Sequence, residues 1–198
     1  MDSAAFASLM IFSLSAAFTP GPNNVMLTSS GATFGFRRTL PHILGIAVGF
    51  AGLAVAGGFG LAGLVKAVPQ LHLALKFFGI VFLLYLAWKI GTATRATATG
   101  SSRPLSFLQA AAFQWINPKG VTLLASAIVA YSTGPDNIVT DLMVMVPIFV
   151  LATLSSACTW CLFGTMIGQF LKQDSALRRF NIAMATLLLV SMVPIFTG

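Results

Sequence analysis

Eleven Lys and Arg residues and four Asp residues carry all the charge in a chain of 198 residues, and there is no Glu. Charged residues make up 8% of the chain, against roughly 25% in a soluble domain. A water-facing surface cannot be built from so few. With 57% hydrophobic residues, the chain is expected to fold with the bilayer as its solvent. This excludes an ordinary soluble enzyme, a disordered segment and a conventional nucleic-acid binder. The formal net charge is +7. The basic residues come as ones and twos between apolar stretches, the habit of membrane loops, so lipid and not nucleic acid is the expected partner.

A helix needs about 20 apolar residues to cross a hydrocarbon core of about 30 Å. Six stretches qualify: Ala4 to about Ala32, Leu40 to Val65, Leu71 to Ile90, Leu105 to Tyr131, Leu142 to Phe170, and Phe180 to Phe196. The first contains Thr19-Pro20-Gly21-Pro22-Asn23-Asn24, and the fourth contains Asn117-Pro118-Lys119-Gly120. The polar stretch from Thr92 to Arg103 is the main loop. The N-terminus has no basic residue before Arg37, so a cleavable signal is not expected and span 1 stays uncleaved.

Basic residues set the orientation. Arg37 and Arg38 fall between spans 1 and 2, Lys89, Arg95 and Arg103 between spans 3 and 4, and Lys172, Arg178 and Arg179 between spans 5 and 6. The opposite side has Lys66 and Lys76, with Asp2, Asp136 and Asp141. Both termini are therefore expected outside a bacterial inner membrane, in the periplasm. The whole chain, 1–198, reads as one transmembrane domain.

The two interrupted spans each come first in a half of the chain, with halves of about 1–95 and 100–198. Pro20 and Pro118 are 98 residues apart, close to half the length. A duplicated three-span unit must insert in opposite senses, giving a 3+3 inverted repeat. Broken helices at matching places in inverted halves point to a transport site.

Each break has its chemistry. Two prolines around a glycine open a helix and free the carbonyls of Ala16 to Phe18, which in lipid must be satisfied by protein or water. Asn23 and Asn24 supply donors and acceptors and could cap a second half-helix. Lys119 lies deep in span 4, and an intramembrane ion is a functional candidate by default. It is expected to bind the carboxylate of a small zwitterion or to carry the coupling proton, unless it snorkels to the interface. Asp141 is the other candidate for the proton if span 5 begins earlier than drawn.

Other features have plainer readings. Gly45 and Gly49 form a close-packing GxxxG face. Cys158 and Cys161 form a C-x-x-C pair within span 5 and are expected to pack as apolar residues. A membrane thiol/disulfide electron carrier built on them is the sharper alternative, and a channel is a third. His42 and His72 fall near span ends and are expected at the interface. No hydrolase or nucleotide-binding pattern is present, so neither an enzyme nor a cofactor or metal site is expected. Trp160, deep in span 5, is a secondary pocket candidate because its indole N–H wants a partner.

Phe18-Thr19-Pro20-Gly21-Pro22-Asn23-Asn24 with Gly35-Phe36-Arg37-Arg38, Tyr85-Leu86-Ala87-Trp88-Lys89, Gln114-Trp115-Ile116-Asn117-Pro118-Lys119, and Trp160 with Gly164 together resemble the LysE/RhtB amino-acid exporters over nearly the whole chain. Pro-Gly-Pro-Asn-Asn leans toward the cysteine/O-acetylserine branch. The resemblance implies proton-driven efflux of an amino acid or derivative, with Pro20, Gly21, Pro22, Asn23, Asn24, Gln114, Asn117, Pro118, Lys119 and Trp160 around the substrate. It also implies homo-oligomers in some members. The lysine/arginine exporters of the family carry an acid in span 2, and this chain has none between Thr39 and Val65, which disfavours dibasic cargo. Related disulfide-reductant carriers place one cysteine on each broken span, whereas both are in span 5 here.

The expectation is an all-α integral membrane protein of six transmembrane helices, with spans 1 and 4 broken. It would export small neutral amino acids, with cysteine, O-acetylserine, homoserine or threonine as cargo.

Overall fold

The computed structural model describes residues 1–60, 69–93, 103–171 and 173–191. Lys66, Arg95 and Lys172, the ends of spans 2 and 6, most of the central loop, and the side chains of His72 and Lys76 lie outside the described residues. The described residues form eight α-helices and no strand. In chain order they are α1 (Ser3–Phe18), α2 (Pro22–Phe34), α3 (Phe36–Gly58), α4 (Pro69–Gly91), α5 (Phe107–Gln114), α6 (Pro118–Tyr131), α7 (Ile138–Phe170) and α8 (Asp174–Val190).

Local chemistry explains the boundaries. Asp2 caps α1 by accepting from the Ala5 amide at 2.7 Å. Ser106 and Gln109 form a reciprocal capping box at the start of α5, the arrangement that satisfies two orphan donors at once. Pro22 and Pro118 each open the helix that follows a break, a position where proline loses nothing because the N–H has no helical acceptor. The proline matching Pro118 in the first half is therefore Pro22, rather than Pro20. Gly35 has φ +80 between α2 and α3, a conformation that favours glycine.

By length and apolar character α3 and α7 each cross a bilayer alone. Helices α1 and α2 are long and apolar enough only together, as a pair bent by 55°. Helix α7 has 33 residues, about 50 Å at 1.5 Å per residue, and forms the axis of the bundle. Helices α1, α2 and α3 pack along it, α5 and α6 lie on α3, and α4 pairs with α8 against α2.

Small residues make these contacts close. A Cβ on Gly164 would overlap the Thr28 carbonyl of α2, and one on Gly31 would overlap the Cys161 carbonyl of α7. Gly45 and Gly49 bring α3 against Phe107 and Ala111 of α5 in the same way, as their spacing suggests. In lipid, such backbone approach and the dispersion it brings replace the hydrophobic effect as the packing force.

Two apolar clusters result. One contains Leu27, Ile43, Leu83, Leu86 and Phe113, and the other Leu9, Phe50, Leu53, Met145 and Phe149. The helix breaks fall between them.

Candidate functional site

Between the two clusters lies a cavity of about 70 Å³. A void of that size holds several waters, so it suits a small polar molecule. Pro22, Asn23 and Asn24 line it from the first break, Gln114, Asn117, Lys119 and Gly120 from the second, and Ser156 from α7. Residues 91 or more positions apart in sequence thus share one wall.

The carbonyls of Ala17, Thr19 and Pro20, at the end of α1 and in the break, are satisfied inside the protein. Asn24 Nδ2 donates to the carbonyls of Ala17 and Thr19, both at 2.9 Å. Ser156 Oγ donates to Ala17 at 2.7 Å. The Lys119 ammonium donates to the carbonyls of Thr19 and, at 3.5 Å, of Pro20. Asn23 and Asn24 do not cap α2, whose cap is Gly21 without a side-chain bond. Asn24 instead reaches back to α1.

Lys119 turns toward the first break. Its side chain lies over Gly21, where an added Cβ would stand 2.7 Å from the lysine Cδ. The placement has an electrostatic reason. Lys119 stands in the first turn of α6, at the positive end of a helix dipole, which alone is unfavourable for a cation. The carbonyl end of α1 offsets this, because it is the negative end of another helix. The first-turn amides of α2 and α6 have no helical acceptor. A full positive charge and two helix N-termini thus converge on the cavity, and no carboxylate lines it.

The polar side chains divide by occupancy. Asn23 and Gln114 hold each other. Gln114 Nε2 also donates to the Ala110 carbonyl at 2.9 Å. Asn117 Nδ2 donates weakly to Gln114 at 3.4 Å, whereas Asn117 Oδ1 is buried and without a partner. The site therefore combines one ammonium donor, Lys119, with a buried acceptor, Asn117 Oδ1, that has no partner among the described residues.

Other expected residues lie elsewhere. Pro20 contributes its carbonyl to Lys119, and Pro118 starts α6 behind the wall. Trp160 is not part of the cavity lining. It packs edge-on against Phe163, ring centroids 6.2 Å apart, and its indole N–H is unpartnered. Helix α7 does begin before Leu142, but Asp141 is held at the chain turn by Ser132 Oγ at 3.0 Å and the Thr133 amide at 2.7 Å, away from the cavity. Cys158 and Cys161 are free thiols, and Cys161 is fully buried in the apolar core. His42 is fully buried, so the interfacial placement expected for it is not met. Ser156 was not foreseen, because small hydroxyl residues such as Thr153, Ser155 and Ser156 within an apolar span carry no sequence signature of a site. Among the described residues no cluster of His, Cys, Asp and Glu could hold a metal.

Two helix breaks meet at a half-open cavity that carries polar side chains in an otherwise apolar wall, an arrangement that suits a translocator. Residues 14–194 match the family model of the LysE type translocator, and the chain belongs to that family. It is a multi-pass membrane transporter and not an enzyme. Cysteine/O-acetylserine efflux proteins from Escherichia coli K12, Escherichia coli O157:H7 and Shigella flexneri serotype 5b are each 32% identical to it over 192 residues, covering 93% of this chain and 94% of theirs. No solved structure matches the chain.

Proposed function

We propose that the chain is a secondary exporter of small neutral amino acids or their derivatives, with cysteine and O-acetylserine as first cargo and proton antiport as the driving reaction. The observation that carries this reading is the pairing of the Lys119 ammonium with the unpartnered Asn117 Oδ1 on one small cavity. A zwitterion needs a cation and free amides for its carboxylate and an acceptor for its ammonium. A dibasic cargo would bring a second cation to a site that has no carboxylate. The names of the 32%-identical relatives agree with the small-cargo reading.

In this proposal residues 1–198 form one domain of six spans in the inner membrane, both termini periplasmic, with halves related as a 3+3 inverted repeat. The packing supports the repeat. Helix α3 lies on α5 and α6 of span 4, and its counterpart α7 lies on α1 and α2 of span 1. The halves rock about the cavity to expose it in turn. Lys119 is the favoured proton carrier, since Asp141 stands apart from the cavity.

The test is counterflow in proteoliposomes. Vesicles are loaded with unlabelled cysteine, O-acetylserine, serine, threonine, leucine or lysine, and uptake of labelled cysteine is followed with and without a pH gradient. Trans-stimulation by the small neutral amino acids, abolished in Lys119→Ala, is the expected result. Absence of stimulation by all of them, in vesicles holding folded protein, overturns the reading.

A further inference from the structure

Two further openings share a wall away from the central cavity. One is an inner cavity of about 40 Å³, lined by Met26, Ser29 and Ser30 of α2, His42 of α3 and Lys89 of α4. The other is an open cleft of about 700 Å³ that includes Arg37, Arg38, Lys89, Arg103 and Gln109. Lys89, Arg103, Pro104 and Leu105 line both, so the cavity forms the floor of the cleft. Basic residues from two loops far apart in sequence thus surround a single mouth. Among the described residues, no carboxylate lines either opening.

Clustered cations alone would be an ordinary basic face of a membrane protein. His42 makes the difference. It is fully buried, and neither ring nitrogen has a partner. A neutral imidazole carries one donor and one acceptor, and leaving both unmet inside the protein is costly. An apolar side chain would pack there without that cost. The ring instead stands on the cavity wall with the Ser30 hydroxyl and the Lys89 ammonium. A lipid headgroup would need only the exposed arginines, not a buried polar floor. Helix α2 continues from this cavity, through Met26, to the central one, through Leu27 and Asn24, which places the opening on a path to the transport site.

We infer that the cleft and the cavity beneath it form a second carboxylate-binding site, an entry site for amino-acid cargo on the face of the basic loops. Lys89 and Arg103 hold the carboxylate, and His42 hydrogen-bonds the polar groups of the cargo. The identity of the cargo rests on the exporter reading, while the carboxylate site does not.

The experiment measures equilibrium binding of labelled cysteine and labelled propionate to the full chain in phosphatidylcholine nanodiscs. Lys119→Ala removes the central site. Saturable binding of both probes is expected to remain in that variant and to weaken about tenfold or more when Lys89→Gln and Arg103→Gln are added, whereas adding His42→Leu weakens binding of cysteine and leaves that of propionate, which has only its carboxylate. Lys89→Gln and Arg103→Gln alter the rim of the cleft, so they test the site even if the His42 variant misfolds. No residual binding in a Lys119→Ala protein that melts like the parent overturns the inference. So does residual binding that Lys89→Gln and Arg103→Gln leave unchanged. Nanodiscs with phosphatidylglycerol separate the sources of anion. If that lipid abolishes binding of both probes and saturating cysteine fails to displace it, the cleft is a headgroup site and the entry role is wrong. Propionate binding without cysteine counterflow would sink the exporter reading and leave the site standing. Full counterflow with no second site would sink only this inference.

Discussion

Asn23 and Gln114 exchange side-chain hydrogen bonds, 2.8 Å in one direction and 3.2 Å in the other, and so tie the first helix break to the second. Gln114 is fully buried, and its amide is further fixed by the Ala110 carbonyl. The pair closes one wall of the cavity and leaves neither amide free to hold cargo tightly in this conformation. Any rocking of the halves must carry the pair as a unit or break it.

Replacing either partner strands the other. Asn23→Leu or Gln114→Leu is expected to cost about 1–3 kcal/mol, the penalty for a buried polar group left unpaired. The double variant should lose much less than the sum of the two, because no stranded amide remains. Thermal melting of the three proteins in detergent measures this. Strict additivity would show that the two amides do not act as a pair.

The contact between α2 and α7 depends on glycine more than on any hydrophobic side chain. Gly164→Leu must displace the Thr28 carbonyl, and Gly31→Leu the Cys161 carbonyl. Backbone in a packed helix cannot yield as a flexible side chain does, so both variants should fail to give monodisperse protein. Gly52→Ala is the control, since its new methyl would meet only Trp115 Cζ2 at 3.6 Å. It should purify and melt like the parent, and equal damage from all three would mean that glycine content, rather than the seam, matters.

The breaks were legible in the sequence because two prolines around a glycine, and a proline within Asn-Pro-Lys-Gly, interrupt a helix more strongly than a lone proline does; single Pro41 and Pro147 stay inside α3 and α7. Lys119 was legible because a lone cation in an apolar stretch has few structural excuses. The partners of those residues were not. That Asn24 serves the carbonyls of α1, that Ser156 joins it, and that Asn117 Oδ1 is buried without a partner are products of packing between segments distant in sequence. His42 shows the same limit. Its position near a helix start suggested an interface, but α3 is rotated so that this face looks into the bundle, between α2 and α4. The Gly164 and Gly168 seam has the spacing of the Gly45 and Gly49 pair, yet only the structure shows it meeting Thr28 and Ala32.

The cysteines provide a direct discrimination between carrier chemistries. Neither thiol lines the central cavity, and Cys161 is fully buried among apolar neighbours. Such thiols behave as small hydrophobes. Cys158→Ala with Cys161→Ala should retain cysteine counterflow at the parent's level, with a stability loss of about 1 kcal/mol for the lost volume. Loss of transport in a double variant that still folds, with reductant transfer lost in parallel, would favour the thiol/disulfide electron carrier.

The charge of the cavity should set what it accepts, and Asn117 is the place to change it. As built, Lys119 provides the only formal charge among the described residues of the lining, and Asn117 Oδ1 is a neutral acceptor. Asn117→Leu removes that acceptor without altering charge. A hydrogen bond to a charged group contributes about 1.5–3 kcal/mol, so cysteine counterflow should fall by about ten- to a hundredfold. Asn117→Asp keeps the acceptor, replaces the Nδ2 donor with a second oxygen, and adds a carboxylate close to Lys119, bringing the formal charge of the lining from positive to neutral. The new carboxylate competes with that of the cargo for Lys119 and offers a partner to a second cation. Cysteine counterflow should therefore fall in this variant too, while exchange of labelled lysine, absent in the parent, should appear. No lysine exchange in Asn117→Asp, with cysteine counterflow of Asn117→Leu unaffected, would place the ammonium subsite on another residue.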